Sequence, residues 1–402
     1  MNFQINNLFP GITTLFAVEP QIALARIILI ALGLLLIYLG YKKILEPLLM
    51  IPMGIGMIAV NAGVLYLSAV KMGTIFVDPL VSDPADVVNI LQIDFLQPIY
   101  TLAFSNGLIA CLVFMGIGVI TDVGFVMARP FSSMIVAVFA EMGTFVTLPL
   151  AVAFGYSFKE AAAIATIGGA DGPITLYASL IMAKDLFVPI TVVAYLYLGI
   201  TYGVYPYLIK LLIPKELRGI EMDIESLPDF SPGDKLTFAV VCCTVLCLLF
   251  PAAAPLFLSF FLGVAVKEVG IKKYIEFLEG TVLYGSTFFL GLLLGVLVQA
   301  DIILDPKVLP LLILGILALL FSGLGGLIGG LLIYKFNKGK YNPVIGIAGV
   351  SCVPTTAKVA QKCAYEANKW AVILPYAMGA NVSGVIVSAI AMGVYVNVLS
   401  KF

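Results

Sequence analysis

The chain has 402 residues, of which 61% are apolar and 11% charged, with a mean hydropathy of +1.11. That balance excludes an ordinary soluble domain, because a core of this length cannot hide so much apolar surface. Its 22 basic and 23 acidic side chains leave a net charge of −1 with neither a basic stripe nor an acidic tail, which excludes nucleic acid as a partner.

In chain order, polar Asn2, Gln4, Asn6 and Asn7 stand where a signal peptide would place positive charge, so the first helix, over 22–41, is expected to be retained. Uncharged runs long enough to cross a bilayer follow at 47–70, 95–121, 186–209, 236–266, 281–300, 308–334 and 370–400, with a further span at 131–154. The run 236–266 exceeds one span and carries Pro251 and Pro255, so two helices joined by a tight turn are predicted there. With two less regular segments, the expectation is an all-α polytopic membrane protein of about ten or eleven transmembrane helices.

Basic residues cluster at Lys42 and Lys43, at Lys210, Lys215 and Arg218, at Lys267, Lys272 and Lys273, and at Lys335, Lys338 and Lys340, which assigns those loops to the cytoplasm. The loop with Asp78, Asp83, Asp86 and Asp94 has no Lys or Arg after Lys71 and belongs on the opposite face. Without a single histidine, a zinc or haem site would lack its usual nitrogen ligand, and Cys111, Cys242, Cys243, Cys247, Cys352 and Cys363 read as packing residues.

The longest polar stretch, 214–235, divides the chain into membrane halves 1–213 and 236–402 and reads as a cytoplasmic linker. Each half holds a Gly-rich, polar-interrupted segment that is no ordinary lipid-facing span: AIATIGGADGPITLYAS at 163–179 and NPVIGIAGVSCVPTTAKV at 342–359. Superposing Gly169-Ala170-Asp171 on Gly349-Val350-Ser351 offsets the halves by 180 residues and places Pro173 and Pro354 in similar positions. Paired interruptions of this kind point to inverted-type repeats, each with a broken or re-entrant segment, and to a site where the breaks meet.

Asp171 is a carboxylate in an otherwise uncharged stretch, which is expensive in a membrane unless it faces a cavity or an ion. The plainer reading is an Asp-Gly turn outside the bilayer with Asp171 capping a helix. A hard cation such as Na⁺ takes several oxygen ligands, for which Asn342, Ser351, Thr355, Thr356, Asn381 and nearby carbonyls are the candidates. Asn342 also suits a turn before Pro343, Ser351 and Thr355 suit bonds to their own helix, and Asn381 sits among Gly379, Ala380 and Gly384, which suit close helix packing. Lys358 and Lys362 serve equally as positive-inside anchors or, for Lys358, as the contact of an anionic substrate. Tyr195 and Tyr197 suit an interfacial belt.

The segments GGADGPITLYAS at 168–179, AYLY at 194–197, NPVIGIAGVSCVP at 342–354 and AMGANVSGV at 377–385 closely resemble the β subunit of the Na⁺-translocating, biotin-dependent decarboxylases. The family includes oxaloacetate, glutaconyl-CoA and methylmalonyl-CoA decarboxylases, and the likeness runs from KKILEPLLMIPMGIG at 42–56 to the last helix. It implies a subunit that decarboxylates carboxybiotin held by a biotin carrier protein, not bound covalently to this chain, consumes a proton and exports Na⁺. Implied partners are a carboxyltransferase α subunit, the carrier and a small single-span membrane subunit. The implied location is the bacterial cytoplasmic membrane, and a homo-oligomer is compatible with all of this. The family's essential carboxylate falls on Asp171, its tyrosine on Tyr197, and its later polar cluster on Asn342, Gly346, Ser351 and Asn381.

This chain departs from the oxaloacetate type in carrying Lys358 for an arginine, which keeps the charge but loses the bidentate fork, and Tyr376 for a histidine. Thr121 to Phe125 leaves the role of Asp122 open, and VPTTAK leans to the acyl-CoA decarboxylases. On this resemblance Asp171, Asn342, Ser351 and Asn381 bind Na⁺, Asp171 exchanges it for a proton, Tyr197 relays that proton, and Lys358 meets the carboxylate. Burial favours a protonated carboxyl and a nearby cation an ionised one, which suits alternate occupancy. From the bare chemistry, a secondary cation-coupled transporter without decarboxylation fits the same breaks, and a passive membrane anchor is a third reading.

Overall fold

The computed structural model describes residues 10–63, 65–67, 70–72, 75, 77–78, 94–225 and 227–399. Asn2, Gln4, Asn6, Asn7, Asp83 and Asp86 lie outside them. The main helices are α1 (Pro20–Tyr41), α2 (Pro47–Gly63), α3 (Leu108–Ile120), α4 (Pro130–Ala140), α5 (Met142–Ala153), α6 (Phe158–Ala165), α7 (Gly172–Met182), α8 (Phe187–Leu212), α9 (Pro232–Leu249), α10 (Ala254–Val269), α11 (Leu283–Leu297), α12 (Val308–Phe336), α13 (Thr355–Ala367) and α14 (Leu374–Leu399). A two-stranded antiparallel hairpin, Leu65–Leu67 with Val70–Met72, follows α2.

Among the described residues eight helices are long and apolar enough to cross a membrane, or up to nine if the bent pair Gln97–Phe104 and Leu108–Ile120 counts as one. Ten or eleven were expected from hydropathy. The difference has a local cause: the apolar run from Pro47 stops being helical at Gly63, after 17 residues, and α7 after the first break is shorter still. The turn expected at PAAAP is present, with α9 ending at Leu249 and α10 starting at Ala254 after one 3₁₀ turn.

The chain forms two compact units. In the first, residues 1–109 and 285–311, α1 and α2 cross where Gly33 and Gly54 meet, each leaving no room for a Cβ against the other's carbonyl. Arg26 of α1 is 1% exposed and donates Nε to the Asn61 carbonyl at 2.8 Å. The Asn61 amide in turn donates to the carbonyls of Met57 and Val298 at 2.9 and 2.7 Å.

The second unit, residues 110–284 and 312–402, is built around α14, which is buried along most of its length and packs against α4, α7, α13 and both broken segments. Two helices here start on capping boxes, Ser157 with Glu160 for α6 and Ser231 with Asp234 for α9, which satisfy N–H groups that a helix leaves open at its start. The start of α9 is tied to the segment after α3 by Lys235, whose ammonium lies 2.9 Å from Asp122.

Candidate ion-binding and decarboxylation site

The first broken segment runs from α6 through a 3₁₀ turn, Thr166–Gly169, into α7. Its glycine pair is required by close approach: a Cβ on Gly168 would strike the backbone of Gly143 and Thr144 at the start of α5, and one on Gly169 would lie 2.7 Å from Ser388 Oγ. Ala170, which ends the 3₁₀ turn, then takes a left-handed conformation, φ 53° and ψ 34°, unusual for a residue with a Cβ. Asp171 is the N-cap of α7, accepting from Ile174 N at 3.1 Å, and is only 5% exposed. It therefore caps a helix, as the plainer reading had it, but from a buried position.

The second broken segment is a 3₁₀ helix, Pro343–Gly349, followed by extended residues and then α13. It lies against α12, where Gly326 and Gly330 leave no space for a Cβ beneath the carbonyls of Gly346 and Pro343. The two segments cross at one atom. The Gly169 carbonyl accepts from Ser351 Oγ at 2.6 Å and from Ser351 N at 3.2 Å. Asn381 of α14 holds the second segment open, its amide nitrogen donating to the carbonyls of Ala348 and Val350 and to Thr356 Oγ1 at 2.9, 3.1 and 2.9 Å. With that nitrogen fully used, Asn381 Oδ1 is buried with no hydrogen-bond partner among the described residues.

Of the residues singled out in the sequence, Asp171 and Ser351 therefore lie on the two segments at or beside their crossing, and Asn381 reaches the second segment from α14. Asn342 lies at the far end of the 3₁₀ helix: its Nδ2 donates to the carbonyls of Arg218 and Ile220, both at 2.8 Å, and its Oδ1 accepts from Val344 N. Gly346 is the contact with α12. Tyr197 turns to α12 as well, donating its hydroxyl to the Leu312 carbonyl at 2.9 Å. The phenol beside Asp171 is that of Tyr195, whose ring covers Gly172 and whose hydroxyl is buried without a partner among the described residues. Lys358 is exposed on the first turns of α13.

One residue at this site was not anticipated. Glu141, 2% exposed, sits at the joint between α4 and α5, inside the span Pro130–Ala153. It accepts from Thr144 Oγ1 at 2.5 Å and is hydrogen-bonded to Ser388 Oγ, which lies 3.2 Å from Ser351 Oγ. The signal was available: Glu141 is the one charged residue between Arg129 and Lys159. The rule that singled out Asp171 applies to it equally.

Buried hydroxyls, the Asp171 carboxyl and an amide oxygen without a partner among the described residues are oxygen donors of the kind a small hard cation takes. Comparison with known proteins identifies the family. The description Na⁺-transporting oxaloacetate decarboxylase beta subunit matches residues 25–399. A carboxybiotin decarboxylase from Malonomonas rubra is 59% identical over 396 residues, 98% of each chain. The oxaloacetate decarboxylase beta chain of Klebsiella pneumoniae is 32% identical, covering 91% of this chain and 93% of its own. The methylmalonyl-CoA decarboxylase subunit beta of Veillonella parvula is 31% identical, covering 93% of each. The chain thus belongs to the family of Na⁺-transporting decarboxylase β subunits, multi-pass membrane proteins that act on carboxybiotin within a multisubunit enzyme.

Proposed function

We propose that Na⁺ binds where the two broken segments cross, on the Asp171 carboxylate, Asn381 Oδ1 and Ser351 Oγ, and that Asp171 takes up a proton when the ion leaves. The observation that supports this most is the Asn381 amide, whose nitrogen is spent on three acceptors while its buried oxygen has no hydrogen-bond partner among the described residues. An unpaired buried oxygen is costly unless a ligand supplies the missing contact. Asn342 and Gly346 keep an indirect role, holding the second segment against the linker and α12.

Tyr195 is the phenol placed to hand a proton to or from Asp171, while Tyr197 acts through its bond to α12. Lys358, at the exposed end of the second segment, is the cation available to the carboxylate brought by carboxybiotin. A biotin carrier, a carboxyltransferase and a small membrane subunit complete the enzyme in the cytoplasmic membrane, and the two halves are related as inverted repeats about this crossing. The VPTTAK segment favours an acyl-CoA acid as the feeding substrate.

In vesicles carrying the assembled enzyme, Asp171→Asn is expected to abolish Na⁺-dependent decarboxylation, because an amide can neither balance the ion nor exchange it for a proton. Unimpaired Na⁺ uptake by that variant would overturn the assignment.

A further inference from the structure

Glu141, Ser388, Ser351 and the Gly169 carbonyl form an unbroken row of oxygens from α4 and α5 through α14 to the crossing of the broken segments. Their hydrogens can be counted. A carbonyl only accepts, so the 2.6 Å contact between Ser351 and Gly169 uses the single hydroxyl hydrogen of Ser351. The 3.2 Å contact between Ser388 and Ser351 must then use the hydrogen of Ser388. No hydroxyl hydrogen is left for the contact between Ser388 and Glu141, so it comes from the carboxyl. The other oxygen, Oε2, accepts from Thr144 and needs no proton.

We infer that Glu141 stands as a neutral carboxylic acid and serves as a positioning residue: it donates to Ser388, and so aims Ser388 at Ser351 and Ser351 at the Gly169 carbonyl beside Asp171. Burial points the same way. Glu141 is 2% exposed within a membrane helix, and among the described residues no cationic side chain lies within ion-pair distance of it. An ionised carboxylate there would be left without compensation, whereas the acid satisfies every contact in the row. If the proton were absent, Ser388 would turn its hydrogen to Glu141, and Ser351 would be held only by what it donates.

This inference rests on the reading of the crossing as the ion site, and the test separates the two. In the complete enzyme in vesicles, Glu141→Gln offers an amide N–H to Ser388 and an amide oxygen to Thr144. It is expected to keep the Na⁺ concentration for half-maximal turnover within about threefold of wild type, with an unchanged pH profile. Glu141→Leu can do neither and is expected to raise that concentration by about tenfold, the size of one lost buried hydrogen bond.

The infrared spectrum of the purified enzyme supplies the second readout. At saturating Na⁺, where Asp171 is ionised, a C=O stretch of a protonated carboxyl, sensitive to deuteration, is expected in wild type and Asp171→Asn and absent from Glu141→Gln. If Asp171→Asn abolishes Na⁺ dependence but Glu141→Gln is as impaired as Glu141→Leu, or the band survives in Glu141→Gln, the role given to Glu141 is overturned and the ion site stands. If Asp171→Asn leaves Na⁺ dependence intact, the ion site and this inference both fall.

Discussion

Two tyrosines two positions apart on α8 illustrate how single residues divide the work. Successive alternate positions on a helix point to nearly opposite sides, and here Tyr195 meets Gly172 beside Asp171 while Tyr197 meets Gly315 and Leu312 of α12. Tyr195→Phe removes a buried hydroxyl next to the carboxylate that has no partner among the described residues. The expected result is a roughly tenfold rise in the Na⁺ needed for half-maximal turnover. Tyr197→Phe should leave that concentration unchanged and lower turnover instead, since it loosens one helix from its neighbour. Steady-state decarboxylation measured against Na⁺ concentration distinguishes them.

The same residues show what can be seen in a sequence. Asp171, Ser351 and Asn381 stood out because each is polar where its surroundings are not. Glu141 met the same criterion but lay inside an otherwise regular span, with no glycine or proline immediately beside it to draw notice. Asn342 stood out as a polar residue of the second break, and the role of Tyr197 came from family likeness. Neither composition nor spacing could reveal that their polar atoms are engaged with the linker carbonyls and with α12.

At the level of elements, the breaks are stabilised by close backbone contact. The second broken segment lies on the glycine face of α12, and there a side chain changes the geometry more than the chemistry. Gly330→Leu would drive atoms into the Pro343 carbonyl, and is expected to lower stability by about 1–3 kcal/mol. Gly285, near the start of α11, has open space where a Cβ would stand, so Gly285→Ala is expected to raise stability by about 0.5–1 kcal/mol. Thermal unfolding in detergent compares the two directly. The positions of both breaks were readable, because Gly, Pro and polar residues interrupt apolar runs there. Their conformation was not: a 3₁₀ helix and a left-handed alanine depend on what the neighbouring helices leave room for. Hydropathy could not show where the apolar run from Pro47 yields to a hairpin, because an apolar run does not mark the end of a helix.

For the second unit as a whole, polar ties hold the helix ends. Asp122 accepts from Lys235 and from Gly124 N at 2.8 Å, and Lys267 donates to the Thr121 carbonyl at 2.8 Å. Burial alone would push the Asp122 carboxyl up. The bonds from Lys235 and Gly124, together with the charges of Lys235 and Lys267, outweigh it and hold the group below the usual carboxylate value. With the folded value depressed, the stabilisation is fully present above the ordinary carboxylate range and is lost as pH falls through the lower folded value. Asp122→Asn should therefore reduce stability by about 0.5–1 kcal/mol, equally at about pH 6 and pH 8, as denaturation at the two pH values would show.

The crossing at Gly169 joins residues 182 positions apart. During synthesis the first broken segment leaves the ribosome long before its counterpart exists, although its own cap, Asp171 on α7, is local in sequence. Long-range contacts of this kind form late. At the proposed ion site, binding is therefore a property that the nascent chain acquires only once Ser351 and Asn381 have been made, and a product arrested before them would lack this route for Na⁺.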